Sequence, residues 1–85
     1  MTAIEAARKV YDEKTCHLLR PRKGEPGQYD AKPVFTGNKH RWFYLDLFTA
    51  SAIVKVYGAV NEANKAKMEK LAITTLARIC FQMVS

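Results

Sequence analysis

Lys39-His40-Arg41-Trp42-Phe43-Tyr44-Leu45-Asp46-Leu47-Phe48 is the stretch on which the fold turns. It holds the only tryptophan of the chain and a run of large apolar residues behind a basic lead-in. Aromatic residues suit a pleated surface, so we read it as the central strand of a small sheet. Strand side chains alternate. Phe43, Leu45 and Leu47 then point one way, and Trp42, Tyr44, Asp46 and Phe48 the other. Such a strand is either covered on both sides or displays a binding surface.

Just upstream, Val34-Phe35-Thr36 reads as a short first arm and Gly37-Asn38 as a two-residue turn of the Gly-X kind. Together they predict a β-hairpin over 34–47. Asp46 is the one acid on the central strand. If it faces inward it must be hydrogen-bonded or paired, with Arg41 and Arg78 as candidate cations.

Before the hairpin, residues 21–33 read as a loop, because all three prolines fall there with Gly24 and Gly27. Its entrance, Arg20-Pro21-Arg22-Lys23, is the densest basic cluster in the chain. There is no GxxxxGK[ST] pattern and so no phosphate-binding loop of that kind. Residues 15–20 either extend the preceding helix or form a short strand; periodicity does not decide. Residues 2–14 predict a helix. Thr2 and Glu5 make a capping box, and Ile4, Ala7, Val10 and Tyr11 form its apolar stripe. Arg8–Asp12 and Lys9–Glu13 are i,i+4 pairs on the solvated side.

After the hairpin, Thr49 is the expected cap of a helix from about Ala50 to Val60, with Ile53, Val56, Tyr57 and Val60 as its stripe. Asn61 caps a polar helix from Glu62 to about Ala72, on which Lys65 and Glu69 are spaced for an ion pair. Thr74 or Thr75 caps a last helix that ends near Val84. Its apolar stripe is broad enough to imply burial on more than one side, in the core or against a second subunit. The predicted fold is therefore α+β: an N-terminal helix, a basic Pro/Gly loop, a β-hairpin, then two or three short helices packed on a small antiparallel sheet. A length of 85 residues suits one small globular domain, 1–85.

The net charge of +6 and pI near 9.6 favour an anionic partner. No segment reaches the ~18 apolar residues that would span a bilayer, and Met1-Thr2-Ala3-Ile4-Glu5 is not a secretory signal. We expect no membrane partner and a cytoplasmic location. Cys16 and Cys80, without CxxC spacing, are then expected reduced.

Chemistry finds little support. Cys16, His17, His40 and Cys80 match no zinc pattern. Pairing Cys16 or Cys80 with His40 as a nucleophile is disfavoured by the apolar setting of Cys80. A helix-turn-helix drawn through 50–72 would place Asn64 where a core residue belongs. We expect no enzyme activity, no cofactor and no metal. What remains is the interleaving of Lys39, Arg41, Trp42 and Tyr44: aromatics stack on unpaired bases while cations neutralise phosphates. No RNP motif accompanies it, and enough helices are predicted to cover both faces of the strand.

In size, charge and lack of a catalytic signature, the chain resembles small accessory proteins of phages and plasmids, a likeness of type that rests on no specific residue. The leading expectation is a small basic non-enzymatic binding module for nucleic acid or another anionic partner. Arg20, Arg22, Lys23 and Lys39 would meet phosphates, and Arg41, Trp42 and Tyr44 would supply the stacking surface. The alternative is a protein-interaction factor, an inhibitor or adaptor of a larger complex. It would use an acidic protein surface as its partner, or a homodimer through the C-terminal helix. If Trp42 and Tyr44 are exposed, the strand is the site; if covered, residues 20–23 are.

Overall fold

Thr2 starts the first helix as its spacing predicts. Its Oγ1 accepts from the Glu5 N–H at 3.1 Å, while Glu5 Oε1 accepts from the Thr2 N–H at 2.8 Å. In this computed structural model, which describes residues 1–34 and 41–84, helix α1 spans Ala3–Glu13. Its buried face is Ala3, Ile4, Ala6, Ala7 and Val10; the small side chains let a neighbouring helix approach closely. Lys14 closes it in the left-handed region, at φ 56°. Of the two helix-surface pairs, Lys9–Glu13 forms at 2.7 Å, whereas Arg8–Asp12 does not form an ion pair among the described residues.

Residues 15–20 resolve in favour of a strand. Strand β1 is His17–Pro21, β2 is Tyr29–Pro33 and β3 is Phe43–Leu45. The order is β2-β1-β3, and both pairings are antiparallel. The central strand is thus β1 and not the aromatic stretch, which among the described residues supplies an edge. Leu18 and Leu19 are both fully buried although they face opposite sides of the sheet.

The hairpin of the sheet is β1–β2, and it closes around Arg22–Gln28. The segment expected to be loop throughout 21–33 gives its first residue to β1 and its last five to β2. Two turns replace the rest. Glu25 N–H bonds Arg22 O at 3.3 Å and Gln28 N–H bonds Glu25 O at 3.1 Å. Gly24 (φ 79°) and Gly27 (φ 83°) occupy positions that only a residue without Cβ accepts cheaply. Pro33 ends an edge strand, where a missing N–H costs no ladder bond. The hairpin predicted over 34–47 has its turn, Gly37-Asn38, outside the described residues. Of its first arm, Val34 sits in a turn, and the described partner of β3 is β1, with Leu18 opposite Tyr44.

Asp46 ends the last strand and begins a helix. Its Oδ1 accepts from the Thr49 N–H at 2.7 Å, making it the N-cap of α2, Leu47–Ala59. The expected cap, Thr49, therefore lies in the first turn, and Leu47 and Phe48 are helical rather than extended. Asn61 caps α3, Glu62–Glu69, through Oδ1 to the Asn64 N–H at 2.9 Å. Here Lys65 turns to Glu62 at 3.6 Å, while Glu69 accepts from the Tyr57 hydroxyl at 2.8 Å, so the predicted Lys65–Glu69 pair is replaced. Helix α4, Ile73–Val84, contains both threonines proposed as its cap. Among the described residues, the α+β architecture is thus a three-stranded antiparallel sheet with one helix before it and three after it. α1 packs on α2, and α2 on α4. Val10, Leu19, Leu45, Ile53, Leu76 and Cys80 lie at the centre of the core.

Candidate nucleic-acid interface

Alternation along the three strands sorts their side chains. Leu19, Tyr29 and Leu45 belong to the core cluster shared with the helices, and Ala31 and Phe43 pack against it. The opposite face carries Leu18 and Arg20 from β1, Asp30 and Lys32 from β2, and Tyr44 from β3. Trp42, one residue before β3, falls on that same face. Among the described residues, the core cluster shared with the helices takes in the inner face and leaves out Leu18, which is fully buried on the outer one. The outer face is the surface on which the predicted aromatics stand.

Trp42 is half-buried, and two cations lie over its ring. The Arg20 guanidinium lies 4.5 Å from a Trp42 ring centroid and the Lys32 ammonium 4.3 Å. Such contacts contribute about 0.5–1 kcal/mol each when exposed. They also hold two positive charges at fixed places on the sheet. Tyr44 is 47% exposed. Its hydroxyl hydrogen-bonds the Cys16 sulfur, and this bond holds the phenol above its ordinary pKa. Arg41 is exposed and adopts φ 65°, a left-handed conformation uncommon for a residue with a Cβ. It leads the chain into β3 next to Trp42.

The other predicted residues divide. Arg22 is committed to carboxylates: Nε to Asp30 Oδ1 at 2.8 Å and Nη1 to Glu25 at 3.5 Å. Asp30 also lies 3.8 Å from Arg20. Its carboxyl is held below the usual range, chiefly by the hydrogen bond from Arg22. Lys23 is exposed in the first turn of the hairpin loop and makes no ion pair among the described residues. Lys39 lies outside the described residues. The structure therefore brings Arg20, Trp42 and Tyr44 onto one face, sets Arg41 beside them, and ties Arg22 to the base of the hairpin. Sequence reading missed Lys32. The alternation of Tyr29-Asp30-Ala31-Lys32 carried the signal, but the flanking prolines masked it.

The residues considered for chemistry are dispersed. Among the described residues no group of three or more His, Cys, Asp or Glu is placed to hold a metal ion. His17 is buried, with Nδ1 2.8 Å from Thr15 O. Both cysteines are free, and burial pushes the Cys80 thiol up. No helix is long and apolar enough to cross a membrane among the described residues. No known protein family matches the chain, and neither a curated protein nor a solved structure does.

Proposed function

We propose that the chain is a non-enzymatic module that binds single-stranded nucleic acid across the outer face of its sheet. One observation carries this reading: Trp42 and Tyr44 share the sheet face opposite the core cluster with Arg20 and Lys32. Cations spaced among aromatics suit a strand whose phosphates need neutralising and whose bases need a stacking platform. A duplex keeps its bases stacked inside, so it gains only the electrostatic part. The net charge of +6 adds steering toward any polyanion. Two free cysteines fit a reducing compartment such as the cytoplasm.

The test uses the protein's only tryptophan as its own probe. Titrated with single-stranded oligonucleotide in about 50 mM salt, Trp42 fluorescence should change saturably, and log affinity should fall linearly with log salt. Trp42→Ala, followed through a labelled oligonucleotide, and Arg20→Glu should each weaken binding roughly tenfold or more, the scale of one lost stacking or phosphate contact. Absence of binding by either single- or double-stranded DNA or RNA at that salt would overturn the reading.

A second reading has its own observation. Ile79 and Met83 of α4 are exposed, Met83 to 62%, so a protein partner, or a second copy through the C-terminal helix, would use the opposite end of the core. A concentration-dependent mass in sedimentation, abolished by Met83→Asp, would favour the homodimer.

A further inference from the structure

An open apolar groove runs between α2, α3 and α4. Its floor is Val56, Val60, Met68, Leu71, Ile79 and Met83, and it encloses about 200 Å³. A second hollow of about 320 Å³ continues it past Ala59 and shares Val56, Val60 and Met83. Met68 is buried and Met83 exposed, so the floor rises from a fixed wall to an adaptable thioether. Unbranched methionine fits irregular apolar partners.

The charged side chains that line the groove are both positive. Lys55 lines the α2 side and Lys67 the α3 side. Neither makes an ion pair among the described residues. Neither Glu62, 3.6 Å from Lys65, nor Glu69, which accepts from the Tyr57 hydroxyl at 2.8 Å, is among the lining residues. An apolar floor between unpaired lysines is complementary to a segment that is apolar on one side and carboxylate-bearing at its flanks.

We propose that this groove docks an acidic amphipathic helix of a partner protein. Such a helix would set apolar residues at i, i+3, i+4 and i+7 into the floor and place Glu or Asp against Lys55 and Lys67. A second copy of this chain fits less well. It would bring these lysines toward like charge, on a protein that is already +6. The groove is built from helices on the far side of the core from the outer sheet face, so this inference does not rest on the nucleic-acid reading.

The experiment is selection of displayed random peptides of about 15 residues, a length at which a helix can form on docking, against the full chain. The expected outcome is enrichment of net-negative sequences with apolar residues at helical spacing. Synthetic versions of the enriched peptides should lose roughly tenfold or more in affinity on Met83→Asp and on Lys67→Glu, the scale of one lost anchor or charge pair. They should be unaffected by Trp42→Ala. A Lys67→Ala variant, which adds no acid, should lose affinity in the same direction. Three outcomes would each sink the proposal: no enrichment; peptides that bind Met83→Asp and Lys67→Glu as well as the parent; or a chain found dimeric at working concentration and made monomeric by Met83→Asp.

Discussion

Asp46 shows how a residue's need can be legible while its partner is not. On a strand it must be hydrogen-bonded or paired, and the cations Arg41 and Arg78 are the candidates that the sequence offers. The strand instead stops at Leu45, and the carboxylate satisfies the Thr49 N–H at the head of α2. Leu47 and Phe48 prolonged the apolar run past its end and hid the switch of period. A carboxylate at an N-cap both accepts an orphan N–H and meets the positive end of the helix dipole. Asp46→Ala should therefore cost about 1 kcal/mol, and Asp46→Asn much less, because the amide oxygen can still cap. Urea unfolding followed by far-UV circular dichroism measures both. Equal losses for the two variants would mean that charge pairing, and not capping, is what Asp46 supplies.

At the level of elements, legibility follows periodicity. α1 was plain from its capping box and one-sided stripe, and α3 from Asn61. The strands were less plain. β1 has Leu18 and Leu19 in succession, each buried against a different side, so no alternation marks it. β2 alternates, but its prolines and charges look like loop. Neither sequence-local rule reveals that the two pair. What closes them is partly the Arg22–Asp30 contact across the mouth of the hairpin. Asp30 titrates below its ordinary range because Arg22 donates to it. Its contribution to stability is thus present above the unfolded carboxylate value, near 4, and is lost as pH falls through the lower folded value. Arg22→Gln should raise the Asp30 midpoint toward about 3.9, as read from its side-chain carboxyl carbon resonance. The stability gap between parent and variant should close as pH falls from the unfolded carboxylate value through the parent's lower midpoint. An unmoved midpoint would assign the depression to something other than Arg22. Both side chains stand largely in solvent, 45% and 39% exposed, so the effect on global stability is small.

At the scale of the molecule, the sequence predicted the inventory better than the allocation. Three helices after the strands were foreseeable, but whether they flank the sheet or gather on one side is decided by long-range contacts. Tyr29 makes several of these. Its N–H donates to Met1 O at 2.7 Å, its carbonyl accepts from the N-terminal ammonium at 3.1 Å, and its hydroxyl accepts from the Ile73 N–H at 3.0 Å. One buried residue on an edge strand thereby links the start of the chain, through its backbone, to the start of α4, through its hydroxyl, where the first N–H groups lack intrahelical partners. Read from sequence, Tyr29 was one aromatic in a loop, and nothing local connects it to a residue so far along the chain. Tyr29→Phe keeps the ring and its burial but leaves the Ile73 N–H without its acceptor in a dry site. The expected loss is about 1–3 kcal/mol, seen as a lower urea midpoint at unchanged slope. Tyr57→Phe is the matched control. Its hydroxyl donates to an exposed Glu69 that water can serve equally well, and its removal should stay within about 0.5 kcal/mol. If the two variants are equally stable, the sheet is fastened to α4 by apolar packing alone.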